Sequence, residues 1–300
     1  MGSYPGNSPE REHLGINAGL VANPEVLPPQ SGSLPPQPSM RKPKPSWVTA
    51  PATYLLMGIN CAVFVVMVLR GVSAGNPTVP QLMYFGADNA GNVLVFGEWW
   101  RIVAAMFVHV GILHLATNMW CLWNLGLLAE PLMGSFGVLA VYILTGAAGN
   151  LLSTCVNWIA FNHDWVRYHD VAVFPAGAGA SGAVFGIAGA LIVLLKSQQL
   201  PVPPAELKRL RKSVIYFAAL NLVLGLSISA GTHVIGSGIS IDNMAHVGGF
   251  ACGLLFATPM VPRLGVSKQY FSRRLRIAVG LVMGILVLFG FFLAQLPGQG

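Results

Sequence analysis

The stretch PAGAGASGAVFGIAGALIVLLK, residues 175–196, decides the fold. Phe174 to Gly179 is poor helix sequence, and at Ser181 it gives way to an apolar run that lasts until Lys196. Ser181 and Lys196 are 15 positions apart, roughly 22 Å of helix. The hydrocarbon core of a bilayer is about 30 Å thick, so a helix opening at Ser181 starts below the surface. The chain ahead of it then runs at membrane depth, where non-helical backbone is tolerated only inside protein or along a wet cavity. The expectation is a water-accessible hollow with a hydroxyl at its floor.

The composition agrees with a membrane setting. Of 300 residues, 54% are apolar and 9% charged, and mean hydropathy is +0.63. A soluble domain carries about 25% charged residues. The fold class read from this is an all-α, polytopic membrane helix bundle in contact with the lipid bilayer. The net charge of +7 does not indicate nucleic acid, because the cations cluster beside apolar spans, as membrane orientation requires. Cys61, Cys121, Cys155 and Cys252 lie in apolar stretches without CxxC spacing and read as small buried hydrophobes.

Seven spans are expected, near Ala52–Leu69, Val110–Leu132, Phe136–Ile159, Ser181–Leu195, Ser213–Ala230, Met244–Val261 and Ile277–Leu296. Residues 1–46 are rich in Pro, Gly, Ser and Asn and read as a disordered cytoplasmic tail. No signal peptide is read there, so the first span is expected to be an uncleaved membrane helix. Residues 47–262 form a six-helix core, and residues 263–300 a basic loop with one further helix. With seven crossings, three basic clusters share one side: Arg41, Lys42 and Lys44; Lys196 and Lys208 to Lys212; Arg263 to Arg276. The positive-inside rule makes that side cytoplasmic. Trp99, Trp100, Trp158 and Trp165 then form an outer aromatic belt. Gly71 to about His109 and Ala160–Ala180 are long outer loops. The first and seventh spans show no inward polar cluster and read as scaffold.

A buried hydroxyl needs a base to become a nucleophile. His246 and Arg263 are 17 positions apart, which sets the imidazole at the depth of Ser181 on a helix running the same way. Ala245, Gly249 and Gly253 make one small-residue ridge, and Gly182, Gly186 and Ala190 another. Such ridges let helices approach closely, and that packing role alone also accounts for the glycines. His114 and Asn118, four apart, share a helix face and are suitable donors to an oxyanion. The amides at the start of the Ser181 helix add to them. Asp242 lies one turn before His246 and is expected to cap or order the loop, not to orient the base. His109 and His114 are poorly spaced for a metal, and no metal is expected. His13 falls in the tail, and His163, His169 and His233 in outer loops.

Taken together, the sequence resembles the rhomboid intramembrane serine proteases. The resemblance rests on Gly179-x-Ser181-Gly182, Ala245-His246-x-x-Gly249, His114-x-x-x-Asn118, Trp100-Arg101 and Glu130-x-x-x-Gly134, from about Ala52 to Val261. It implies six core helices around a water-filled site, with the seventh an extra C-terminal helix. It implies Ser181 as nucleophile, His246 as general base and acid, and His114, Asn118 and the Ser181 amide as oxyanion stabilisers. Gly179, Gly182 and Gly249 support the site, and Phe185 falls where the family packs an aromatic against the catalytic histidine. Trp100 and Arg101 would fix the first loop, and the fifth helix would be a lateral gate. The activity expected is endopeptidase cleavage of transmembrane protein substrates through an acyl-enzyme, without a cofactor. The expected location is a bacterial inner membrane, with the site opening outward. The rival readings are an inactive relative that binds transmembrane clients and a polytopic transporter.

Overall fold

A computed structural model describes residues 48–196, 203–235, 242–263 and 268–299. The expected tail, residues 1–46 with His13 and its three cations, lies outside them. The described chain is helical; its strand-like pairing among those residues is a single bridge between Asp88 and Gly177. The long helices are α1 (Pro51–Leu69), α5 (Ile112–Tyr168), α6 (Ser181–Leu194), α7 (Pro204–Ile235), α8 (Asn243–Ala257) and α9 (Lys268–Ala294). Short helices α2 (Val79–Tyr84), α3 (Ala90–Leu94) and α4 (Arg101–Ala104) fold the connection between α1 and α5. Helices α1, α5 and α9 are long and apolar enough to cross a membrane. At 14 and 15 residues, α6 and α8 measure roughly 21 and 22 Å, less than a hydrocarbon core.

One carboxylate organises the first two spans. Glu130 accepts the amides of Ala52 (2.8 Å) and Thr53 (2.9 Å) and the Thr53 hydroxyl (2.7 Å), capping α1 from far along the chain. It also accepts the Ser135 hydroxyl at 2.7 Å. Between these two grips Gly134 takes φ +74°, a left-handed conformation suited to glycine, and splits α5 into the second and third spans. Helix α6 is the centre of the bundle: every residue from Gly182 to Leu191 is buried.

The connection ahead of α5 is tied by Arg101. Its Nε donates to Glu98 at 2.6 Å, and its Nη1 to the carbonyls of Met83 (2.7 Å) and Ala87 (3.0 Å). Trp100 stacks on the same guanidinium, 4.6 Å from ring centroid to Cζ, and its own ring lies against Gly86.

Several expectations are corrected. The third span continues to Tyr168, where His169 ends it at φ 52°, because Trp158, Phe161 and Trp165 give residues 160–168 an apolar face to bury. His163 is therefore helical, and the outer link shrinks to residues 169–180. Trp158 does not belong to a belt; it is buried, stacked on Phe174 at 5.5 Å. Helix α7 begins at Pro204, a residue suited to a first turn, so Lys208, Arg209, Arg211 and Lys212 ride on helix instead of loop, and His233 is also inside it. Arg273, Arg274 and Arg276 likewise lie on α9. Helix α1 is not free of inward polar groups: buried Asn60 donates to the Tyr142 hydroxyl at 3.0 Å. Cys61 is exposed and not buried, because it falls on the outward face of α1.

Candidate active site

Ser181 is the first residue of α6 and is half-buried. The non-helical strip before it is tied to the surrounding protein at several backbone groups. Gly177 and Asp88 exchange backbone hydrogen bonds of 2.7 and 2.8 Å, and the Gly179 amide donates to Ala105 O at 2.9 Å. The Ala180 amide donates to His109 Nε2 at 3.4 Å, while His109 Nδ1 contacts Phe107 O at 3.2 Å. These partners assign the proton of His109 to Nδ1. Gly179 takes φ +135°, and a Cβ there would strike the His114 ring at 2.5 Å. Only glycine admits both the backbone and the neighbour. The amides of the first turn of α6 have no partners within the helix and leave a positive end beside the hydroxyl.

His246 sits in the first turn of α8, 5% exposed. The two helices meet backbone to backbone. A Cβ on Gly182 would stand 3.1 Å from Ala245 O; on Gly249 it would overlap the Gly182 carbonyl, and on Gly253 the Gly186 carbonyl. The contact therefore joins the neighbours of Ser181 and His246 directly. The Phe185 ring, one turn below Ser181, stacks on the His246 imidazole at 4.5 Å and 14°. His246 Nδ1 has no hydrogen-bond partner, and no hydrogen bond joins His246 to Ser181. Such bonds are often long before substrate arrives. Asp242 does not orient the imidazole. Its Oδ1 accepts the Ala245 amide at 3.0 Å as the N-cap of α8, and its Oδ2 accepts the Ser153 hydroxyl at 2.5 Å.

The two donor candidates differ. His114 lies against Gly179, and its buried Nδ1 is unpartnered. Asn118 is buried one turn further on, with its amide donating to the His114 carbonyl at 2.9 Å. One of its hydrogens is thus spent on its own helix. Trp100 and Arg101 do not join the group; their polar contacts stay within residues 83–101. Beside His246 lies an apolar cavity of about 460 Å³ between α6, α7 and α8, walled by Phe185, Ile192, Ile215, Ala218, Phe250 and Leu254.

Sequence reasoning missed His109. It is fully buried, its ring 5.4 Å from that of His114, and it holds the amide just before the serine. Its position in an apolar segment was the available signal. Both its nitrogens are engaged, which argues against a metal ligand.

Residues 96–263 match the Rhomboid domain. The chain is 30% identical to Rhomboid protease GluP of Bacillus subtilis over 231 residues, 77% of this chain and 38% of that protein. It is also 30% identical to Rhomboid protease AarA of Providencia stuartii over 207 residues, 68% of this chain and 70% of that one. RHOMBOID-like protein 5 of Arabidopsis thaliana is 29% identical over 65% of this chain, which spans 55% of it. The chain thus spans less than two thirds of the length of GluP and of RHOMBOID-like protein 5. With more than half of its length inside the domain match, and its helices bundled about a central buried span, the chain is a multi-pass membrane protein that belongs to the rhomboid family.

Proposed function

We propose that this protein is an intramembrane serine endopeptidase that cuts transmembrane segments of other membrane proteins with a Ser181–His246 dyad. The observation that carries the reading is the α6–α8 contact at Gly182 and Ala245, with Phe185 stacked on His246. That contact supports a hydroxyl and an imidazole at the same end of two short helices, each next in sequence to one of its residues. Similarity to proteins named rhomboid protease supports the reaction class.

In this mechanism His246 takes the Ser181 proton as the hydroxyl oxygen attacks a peptide carbonyl. The oxyanion is met by the Ser181 amide and by His114. Asn118 joins them after turning from its own-helix carbonyl. Each such donor contributes ~3 kcal/mol to the transition state. The imidazolium returns its proton to the leaving amine, and water hydrolyses the acyl-enzyme with His246 again as base. With Asp242 committed to Ser153 and Ala245, no carboxylate among the described residues completes a triad; the Phe185 ring sets the imidazole plane instead. No cofactor takes part. The basic ends of α7 and α9 support a cytoplasmic placement for that side, with the Ser181 end facing outward across a cell membrane.

The test is cleavage of a transmembrane reporter in proteoliposomes, with labelling by a fluorophosphonate probe. Ser181→Ala and His246→Ala should each lower cleavage by at least ~10³-fold and abolish labelling. Wild-type cleavage in Ser181→Ala overturns the assignment. Retained client binding with no cleavage by the unmodified protein would instead indicate an inactive relative.

A further inference from the structure

Asp88 and Asp242, far apart in sequence, meet across Gly177. A Cβ built on Gly177 would stand 3.1 Å from Asp242 Oδ2 and 3.8 Å from Asp88 Cβ. Asp88 is 3% exposed and accepts the Thr154 hydroxyl at 3.1 Å. Ser153, the neighbour of Thr154 on α5, donates to Asp242 at 2.5 Å and accepts from Asn157 at 3.1 Å. One turn of α5 therefore grips both carboxyl groups. The bridge from Asp88 to Gly177 fixes the strip that leads to Gly179 and Ser181, while Asp242 caps the helix that carries His246.

The charges facing this pair are few. Among the described residues, Arg101 is the cation that acts on Asp88, and its guanidinium is committed to Glu98 and two carbonyls. Helix α5 presents hydroxyl and amide groups, the strip presents none that titrate, and α8 presents Asp242 itself with His246 one turn on. A buried carboxylate and a half-buried one beside it resist being ionised together. Burial first, and then the Asp242 charge, push the Asp88 carboxyl up to about 7. Burial raises Asp242 as well. A cavity of about 150 Å³ lined by Asn157, Pro175, Gly177, Asp242 and Asn243 gives protons a way in.

We propose that Asp88 and Asp242 are positioning residues that together carry one proton and one charge, latching the strip before Ser181 to the start of the His246 helix, and that loss of the proton loosens both. The sign follows from the direction of the shift. A carboxyl raised in the folded state contributes fully below its ordinary value, and that contribution is lost as pH rises through about 7. The latch is closed on the acid side and slack on the alkaline side.

The inference deepens the proposed function, but its first measurement needs no cleavage, so the two can fail separately. Amide hydrogen exchange of residues 174–180 is followed in the full-length protein at pH 6 and pH 8, corrected for intrinsic exchange. Wild-type protection should fall about tenfold, the change expected for one pH unit beyond a titration midpoint. Asp88→Asn and Asp242→Asn keep the hydrogen-bond acceptors and should hold their protection within about twofold. Unchanged wild-type protection overturns the proposal, as does an equal fall in either folded variant. In reporter cleavage, wild type should lose activity above about pH 7 along a limb that both variants lack. If one variant fails to fold, the other decides; if both fail, the wild-type exchange profile decides.

Discussion

The two sides of His246 are built differently. Toward α6 the packing is backbone on backbone at glycines 182, 186, 249 and 253, with the Phe185 ring stacked on the imidazole beside it. Toward α7 there is an apolar cavity of about 460 Å³, bounded on that side by Ile215 and Ala218. Lipid tails are as apolar as leucine, so burial from water does not hold membrane helices together; close packing does. The first side is therefore stiff and fixes where Ser181 and His246 stand. The second lacks those contacts over a large area. Phe185, whose ring stacks on the imidazole, also borders the cavity, so the two kinds of packing share that residue.

The largest break should come from Gly249→Val. Its side chain would occupy the Gly182 carbonyl, and overpacking of that kind costs roughly 3 kcal/mol. The thermal midpoint in detergent should drop sharply and cleavage should vanish; a variant as stable as wild type would mean that the contact is not rigid. Phe185→Leu comes next, since this ring belongs to both sides. It should cost about 1 kcal/mol of stability and lower kcat roughly tenfold with KM little changed. Unaltered kcat would remove Phe185 from the positioning of His246. Ala218→Leu sharpens the contrast from the other side. It fills existing space, so stability should move by less than about 1 kcal/mol, while KM for a transmembrane reporter rises several-fold. A loss as severe as that of Gly249→Val would erase the difference between the two faces. The smallest effect is expected from Leu288→Ala on α9, 70% exposed on the outward face. Its midpoint should stay within about 0.5 kcal/mol.

Much of the candidate site could be put forward from sequence because spacing on helices is rigid. Ser181 and His246 could be set at equal depth by counting residues to the nearest cations. The ridges at Gly182 and Gly249 carried their own signature, and the structure brings them together. What spacing could not supply was side-chain direction. Asn118 lies on the expected face but donates to its own helix, and the Asn60 pairing with Tyr142 joins residues far apart in sequence. His109 was hidden for a similar reason. Its partners, Phe107 O and the Ala180 amide, are backbone groups that leave no trace in residue types.

By itself the sequence determined that this chain is a membrane helix bundle with one span too short for the bilayer, because hydropathy and length act locally along each helix. It also singled out Ser181, His246, His114 and Asn118 as candidates by residue type and spacing. Only the tertiary structure decided which groups meet: that Phe185 lies on His246, that Asp242 is spent on Ser153, and that Asp88 faces Asp242 across Gly177. Those pairings depend on how helices rotate and approach one another. That is set by the sum of many contacts across the bundle and by no single segment.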